Sequence, residues 1–100
     1  MPKFGLLCLD GDLEGVKAAL ARGQDVNGRE KFKTTGLMSA IVGEHDSVVQ
    51  LLLSQPSLDI NSSDSYGDTA LHCAACMDNV TGLRMLLGDS RQSCRKSRFL

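Results

Sequence analysis

The sequence predicts an all-α solenoid of stacked helix–turn–helix units, and three observations carry that prediction. Asp25-Val26-Asn27 recurs 34 residues later as Asp59-Ile60-Asn61, and Thr35-Gly36-Leu37-Met38-Ser39-Ala40 recurs at the same interval as Thr69-Ala70-Leu71-His72-Cys73-Ala74. Two separate landmarks thus report one period. Within each period a polar turn leads into a Thr-headed helix and then a Leu-rich helix. This is the mark of helical repeats, which bury their apolar faces only against neighbouring repeats.

Along the chain, a helix from Phe4 to Leu9 and a second through Gly11 to Leu20 open the first unit, which lacks the leading turn. Arg22-Gly23-Gln24 leads out to the Asp25-Val26-Asn27 return, and Gly28 to Thr34 is polar and rich in turn formers. Thr35 is placed to N-cap the next helix, its hydroxyl accepting an orphan amide of the first turn, with Leu37, Ala40 and Ile41 following at helical spacing. From Ser47 to Leu53, Val48, Val49, Leu51, Leu52 and Leu53 cover most of the circumference, the pattern of a helix flanked on two sides. Pro56 cannot continue that helix and stops it. The stretch Gln55-Pro56-Ser57-Leu58 lengthens the exit before Asp59-Ile60-Asn61, and Ser62 to Asp68 is the second polar turn. Thr69 repeats the N-cap of Thr35, ahead of Leu71, Ala74 and Ala75. After Leu86-Leu87-Gly88-Asp89-Ser90 no Asp-Val-Asn return follows, and residues 91–100 read as a basic, flexible tail.

At Asp64-x-x-Gly67-x-Thr69-Ala70-Leu71-His72-x-Ala74-Ala75 the chain resembles the ankyrin repeat family, with Ala70 where that family usually has Pro. The middle unit is a degenerate copy, carrying Lys33 for the turn Gly, Gly36 for Pro and Met38 for His, and the first resembles an N-terminal cap repeat. The resemblance, over roughly residues 4 to 88, implies an ankyrin-repeat solenoid with projecting β-turn fingers and a domain at 1–90, in units of about 3–27, 28–61 and 62–90. It also implies that the His72 ring bonds backbone at the start of its helix, and that His45 and Asn79, at the equivalent inter-helix position, do similar work.

Eleven basic and twelve acidic residues give a formal charge of −1. Arg91, Arg95, Lys96 and Arg98 leave residues 1–90 with seven bases against twelve acids, a net of −5. An acidic body argues against nucleic acid as a partner. No stretch has the 18 or so consecutive apolar residues of a membrane span, and the start of the chain lacks the pattern of a secretory signal. The expectation is therefore a cytoplasmic or nuclear protein with Cys8, Cys73, Cys76 and Cys94 as thiols, and with the sequons at Asn61 and Asn79 unmodified.

Candidate chemistry is sparse. His72-Cys73-Ala74-Ala75-Cys76 holds a Cys-x-x-Cys beside a His, a spacing that can supply two zinc ligands. No second ligand pair accompanies it, and small buried thiols suit a helix core. No nucleophile pattern, phosphate loop or carboxylate pair is present, so the reading is a non-enzymatic chain with no metal and no cofactor.

The resemblance places Arg29, Lys31, Phe32, Thr34 and Val42 of the middle unit and Ser63, Ser65, Tyr66, Asp68 and Met77 of the third on the fingers and concave groove, as the partner-binding set. Phe32 and Tyr66 stand at equivalent places, on layers expected to lie about 10 Å apart. Aromatics and Arg are enriched at interface hot spots. The expected function is a protein–protein interaction module, its partner an acidic protein segment. The alternative is an adaptor directed to anionic membrane or nucleic acid by the basic tail, and self-association through the last repeat is a further expectation, since that repeat has no evident cap.

Overall fold

The computed structural model describes residues 3–89, and among these six α-helices follow one another: α1 (Phe4–Asp10), α2 (Leu13–Ala21), α3 (Gly36–Val42), α4 (Asp46–Leu53), α5 (Ala70–Cys76) and α6 (Val80–Leu87). One 3₁₀ turn, Lys31–Lys33, precedes α3. The pairs α3/α5 and α4/α6 keep the sequence interval of 34 at both ends. The basic tail, with Cys94 and Phe99-Leu100, lies outside the described residues.

Local chemistry starts the helices. Asp12 accepts the Gly15 amide at 3.0 Å ahead of α2, Thr35 Oγ1 accepts the Met38 amide at 3.4 Å ahead of α3, and Asn79 Oδ1 accepts the Gly82 amide at 3.0 Å ahead of α6. At α5 the Thr69 amide donates to His72 Nδ1 at 3.1 Å, and the Thr69 hydroxyl lies 3.0 Å from the same nitrogen. An amide can only donate, so Nδ1 carries a lone pair and the ring proton sits on Nε2. His45 departs from the role expected of it. It precedes α4 without a side-chain cap bond, and its ring instead lies across the backbone of Gly11 and Gly43. A Cβ added at those glycines would come within 2.6 Å and 2.8 Å of ring carbons.

The helices form two layers. In one, α3 packs between α1 and α5; in the other, α4 packs against α2 and α6. The core fills the space between layers with Phe4, Cys8, Val16, Leu37, Met38, Ile41, Val48, Val49, Leu52, Leu71 and Leu86. On α4 the residues sealed from solvent are Val48, Val49 and Leu52, while Leu51 and Leu53 are half-buried at the margins. Gly36 is buried beneath the Phe4 ring, where a Cβ would lie 2.7 Å from a ring carbon and 3.0 Å from Cys8 Sγ. A Pro there would collide with the first unit's principal aromatic, which accounts for this unit's departure from the family motif.

The Asp-Val/Ile-Asn returns stitch the units together. Asp25 and Asp59 each accept the amide two residues on, at 2.9 Å and 3.2 Å, and Val26 and Ile60 between them are buried. Asn27 then reaches into the next unit, donating to the Ser57 carbonyl at 2.7 Å and accepting the Asp59 amide at 2.6 Å. Asp25-Val26-Asn27 is thus a turn, a core plug and an inter-unit clamp.

Candidate functional site: two adjoining finger tips

Two loops project ahead of α3 and α5. In the first, an antiparallel bridge between Arg29 and Thr35 and a 2.9 Å bond from the Glu30 amide to the Thr34 carbonyl form a short hairpin. In the second, the Asp64 amide donates to the Asp68 carbonyl at 2.9 Å, and Asp64 Oδ1 accepts the Tyr66 and Asp68 amides at 2.8 Å and 3.0 Å. The two are joined directly, with the Ser65 amide on the Phe32 carbonyl at 2.8 Å.

Phe32 and Tyr66 meet across that junction. Their ring centroids lie 5.9 Å apart at an interplanar angle of 37°, closer than the 10 Å layer spacing suggests, because the side chains lean together. Contact does not bury them: Phe32 is 54 % and Tyr66 73 % exposed. The ammonium of Lys31 sits 5.4 Å from the Phe32 ring centre, within cation–π range.

The backbone at this tip is strained. Phe32 and Lys33 have φ of 61° and 59°, the left-handed region that costs an L-residue about 1–2 kcal/mol. On the second finger the residue 34 positions after Lys33 is Gly67, at φ 82°, which takes the left-handed conformation without that cost, while Tyr66, the equivalent of Phe32, does not adopt it. Left-handed backbone also occurs at Glu44 and Asp78, φ 58° and 54°, in the turns between α3 and α4 and between α5 and α6, so it is not peculiar to the finger.

The remaining members of the predicted set are distributed unevenly. Arg29 is exposed but not free: Nε and Nη2 both donate to Ser62 Oγ, at 3.2 Å and 2.7 Å. Lys31, Ser65 and Asp68 are exposed at the tips, and Thr34 and Ser63 are half-buried at their bases. Val42 and Met77, 41 % and 46 % exposed, lie where α3 and α5 end, at a distance along the helices from the finger cluster. Three participants were absent from the predicted set. Ser62 is buried and receives Arg29. Glu30 turns inward and accepts the Gly5 amide at 2.9 Å. Lys33, at the place of the turn Gly, is exposed beside Phe32.

The Cys-x-x-Cys pair lies on α5 with Cys73 half-buried and Cys76 exposed, both as free thiols. Burial, with Asp64, Asp68 and Cys76 adding to it, pushes the Cys73 thiol up to about 11; burial, then Glu30, pushes Cys8 up to about 12. Two expectations follow. At mild alkaline pH a thiol reagent should modify Cys76 well before Cys8 or Cys73, as peptide mapping by mass spectrometry would read. Folded-state values above the usual 9 mean that the native state holds these protons more tightly. Stability should therefore be undiminished by them below about pH 9 and fall between about pH 9 and 12. A melting temperature that is flat across that window would contradict the burial of Cys8.

The outer face of the last described helix pair exposes Val80 (51 %) and Leu87 (38 %) and carries a shallow groove of about 160 Å³ lined by Ala74, Ala75, Asp78, Asn79, Val80 and Leu83. Among the described residues no helix is long and apolar enough to cross a membrane.

Comparison with known proteins agrees with this fold. The human photoreceptor ankyrin repeat protein is 44 % identical over 79 % of the chain, and the mouse RelA-associated inhibitor 37 % over 72 %. The chain spans 16 % and 9 % of their respective lengths. Among solved structures, the human ASB11 ankyrin repeat domain superposes with a TM-score of 0.79 at 23 % identity, covering 90 % of this chain and 40 % of that one. A chain of the complex between a Bdellovibrio bacteriovorus predatory endopeptidase and an immunity protein gives 0.82 at 25 %, covering 90 % and 47 %. Such repeats are generally non-enzymatic protein–protein interaction modules. The family model for ankyrin repeats, three copies long, matches residues 4–97, and the chain belongs to the ankyrin repeat family.

Proposed function

We propose that this chain binds a partner protein through its two finger tips and the concave groove, performing no catalysis itself, in the cytoplasm or nucleus. The observation that carries the reading is the Phe32–Tyr66 pair, two large rings in mutual contact yet mostly in solvent. Folding gains little from side chains left so exposed, whereas a partner that covered them would bury both rings at once. The free thiols of Cys8, Cys73 and Cys76 suit a reducing compartment.

The test is the binding of a partner, captured and identified with the intact chain, to Phe32→Ala, Tyr66→Ala and the double variant. Each single change should weaken binding by at least about 1 kcal/mol, mainly through faster dissociation. Because the rings touch, the double change should cost less than the sum. Thermal stability should hardly move, as neither ring is in the core. Equal affinity of parent and double variant would redirect attention to the convex face or to residues 91–100.

A further inference from the structure

Resting on that finger reading, we infer that the partner segment is a short acidic stretch of protein with an apolar side chain at its centre, its carboxylates on Lys31 and Lys33 and the apolar group on the Phe32–Tyr66 rings. Three of the seven basic residues of positions 1–90 fall between 29 and 33, and the structure divides them by role. Arg29 is held against Ser62. The finger's own acid, Glu30, has its carboxylate on the Gly5 amide, away from the tip. Neither Lys31 nor Lys33 forms an ion pair among the described residues, where the pair present is Lys17–Glu14 at 3.9 Å on α2. Lys31 and Lys33 thus flank Phe32 in the chain, both exposed, and the Lys31 ammonium sits 5.4 Å from the centre of its ring.

The second finger sets the limit of this field. Asp64 and Asp68 flank Tyr66, with Asp68 exposed, so the second finger carries acids where the first carries bases, and an anionic group is favoured on the first finger. A nucleic-acid strand laid over both tips would bring its phosphates onto Asp68 and over a body of net charge −5. A peptide avoids this by placing its acids on the first finger and neutral residues on the second. Complementary charge of this kind acts mostly on association rate and choice of partner.

The experiment is an amide-shift titration of the full 100-residue chain with three probes: a ten-residue peptide with Asp and Glu on either side of a central Phe, the same peptide with Asn and Gln in their place, and a ten-nucleotide single-stranded oligothymidine. The acidic peptide should move the amides of residues 31–33 and 65–67, more weakly as salt is raised. Lys31→Gln with Lys33→Gln should weaken its binding by at least about fivefold. Lys33→Gly is the second variant; it relieves the left-handed strain, so it should raise the melting temperature while still weakening the peptide. Equal binding of the neutral peptide, or tighter binding of the oligonucleotide at the same amides, would overturn the inference. Absence of shifts with the acidic peptide at millimolar concentration would do so too. A captured partner that depends on Phe32 and Tyr66 but not on the two lysines would refute the charge assignment and leave the finger reading standing. Independence from all four would defeat both.

Discussion

Leu52→Ala is expected to lower the unfolding free energy by about 2 to 5 kcal/mol, the span observed when a buried Leu is truncated in a core that relaxes only partly. Leu52 is wholly buried, on the helix that packs against both α2 and α6. A cavity there loosens both inter-unit interfaces at once. In a repeat array stability is the sum of unit and interface terms, and three units are the minimum for a stable array. With a total of about 5–15 kcal/mol for a domain of this kind, the loss takes a large share of the margin. Urea unfolding followed by circular dichroism would measure it. Leu53→Ala, on the half-buried edge of the same helix, should cost clearly less, and a Leu52→Ala curve that overlays the parent's would mean that α4 is not the central helix.

The period and the helices were legible because the residues that mark them each do a fixed physical task. Thr35 and Thr69 stand at helix starts, while Asp25 and Asp59 close turns and Val26 and Ile60 plug the core. Such residues cannot be exchanged freely, so the repeat shows through. What stayed hidden at the finger tips depends on features that residue type does not encode. Nothing in Phe32-Lys33 announces left-handed backbone, since these residues avoid it, and the turn can be recognised only by the vacancy of the expected Gly. The Arg29–Ser62 bond spans 33 residues and joins two loops whose relative approach is set by helix packing. The partner of Glu30 is a backbone amide of α1, 25 residues away, which composition does not show. The Phe4 ring occupies the space a side chain at Gly36 would need, a contact between units that the sequence does not show. Equivalence of position also proved insufficient at the inter-helix turn. Asn79 is short and carries both donor and acceptor, so it can cap its own helix and reach back a unit; the His45 ring lies flat on glycine backbone instead.

That contrast yields the second large effect, at Asn79. Its amide group is buried, accepting the Gly82 amide at 3.0 Å and donating to the Ile41 carbonyl at 3.1 Å, so one side chain both starts α6 and ties the third unit to the second. Asn79→Ala should cost about 2 to 3 kcal/mol: roughly 1 to 2 for the lost cap and about 1 for the inter-unit bond. The second figure stays near the lower end because the Ile41 carbonyl keeps the Glu44 amide at 3.1 Å. Asn79→Ser separates the two contributions, since its hydroxyl can still cap α6 but is too short to reach Ile41; it should cost about 1 kcal/mol. Hydrogen exchange supplies the spatial readout. In the Ala variant α5 and α6 should lose protection ahead of α1 to α4, because the third unit is flanked by another described unit on one side only and its tether has been cut. Uniform loss of protection across all six helices would show instead that the three units open as one, and that the Asn79 bond is not what holds the last of them in place.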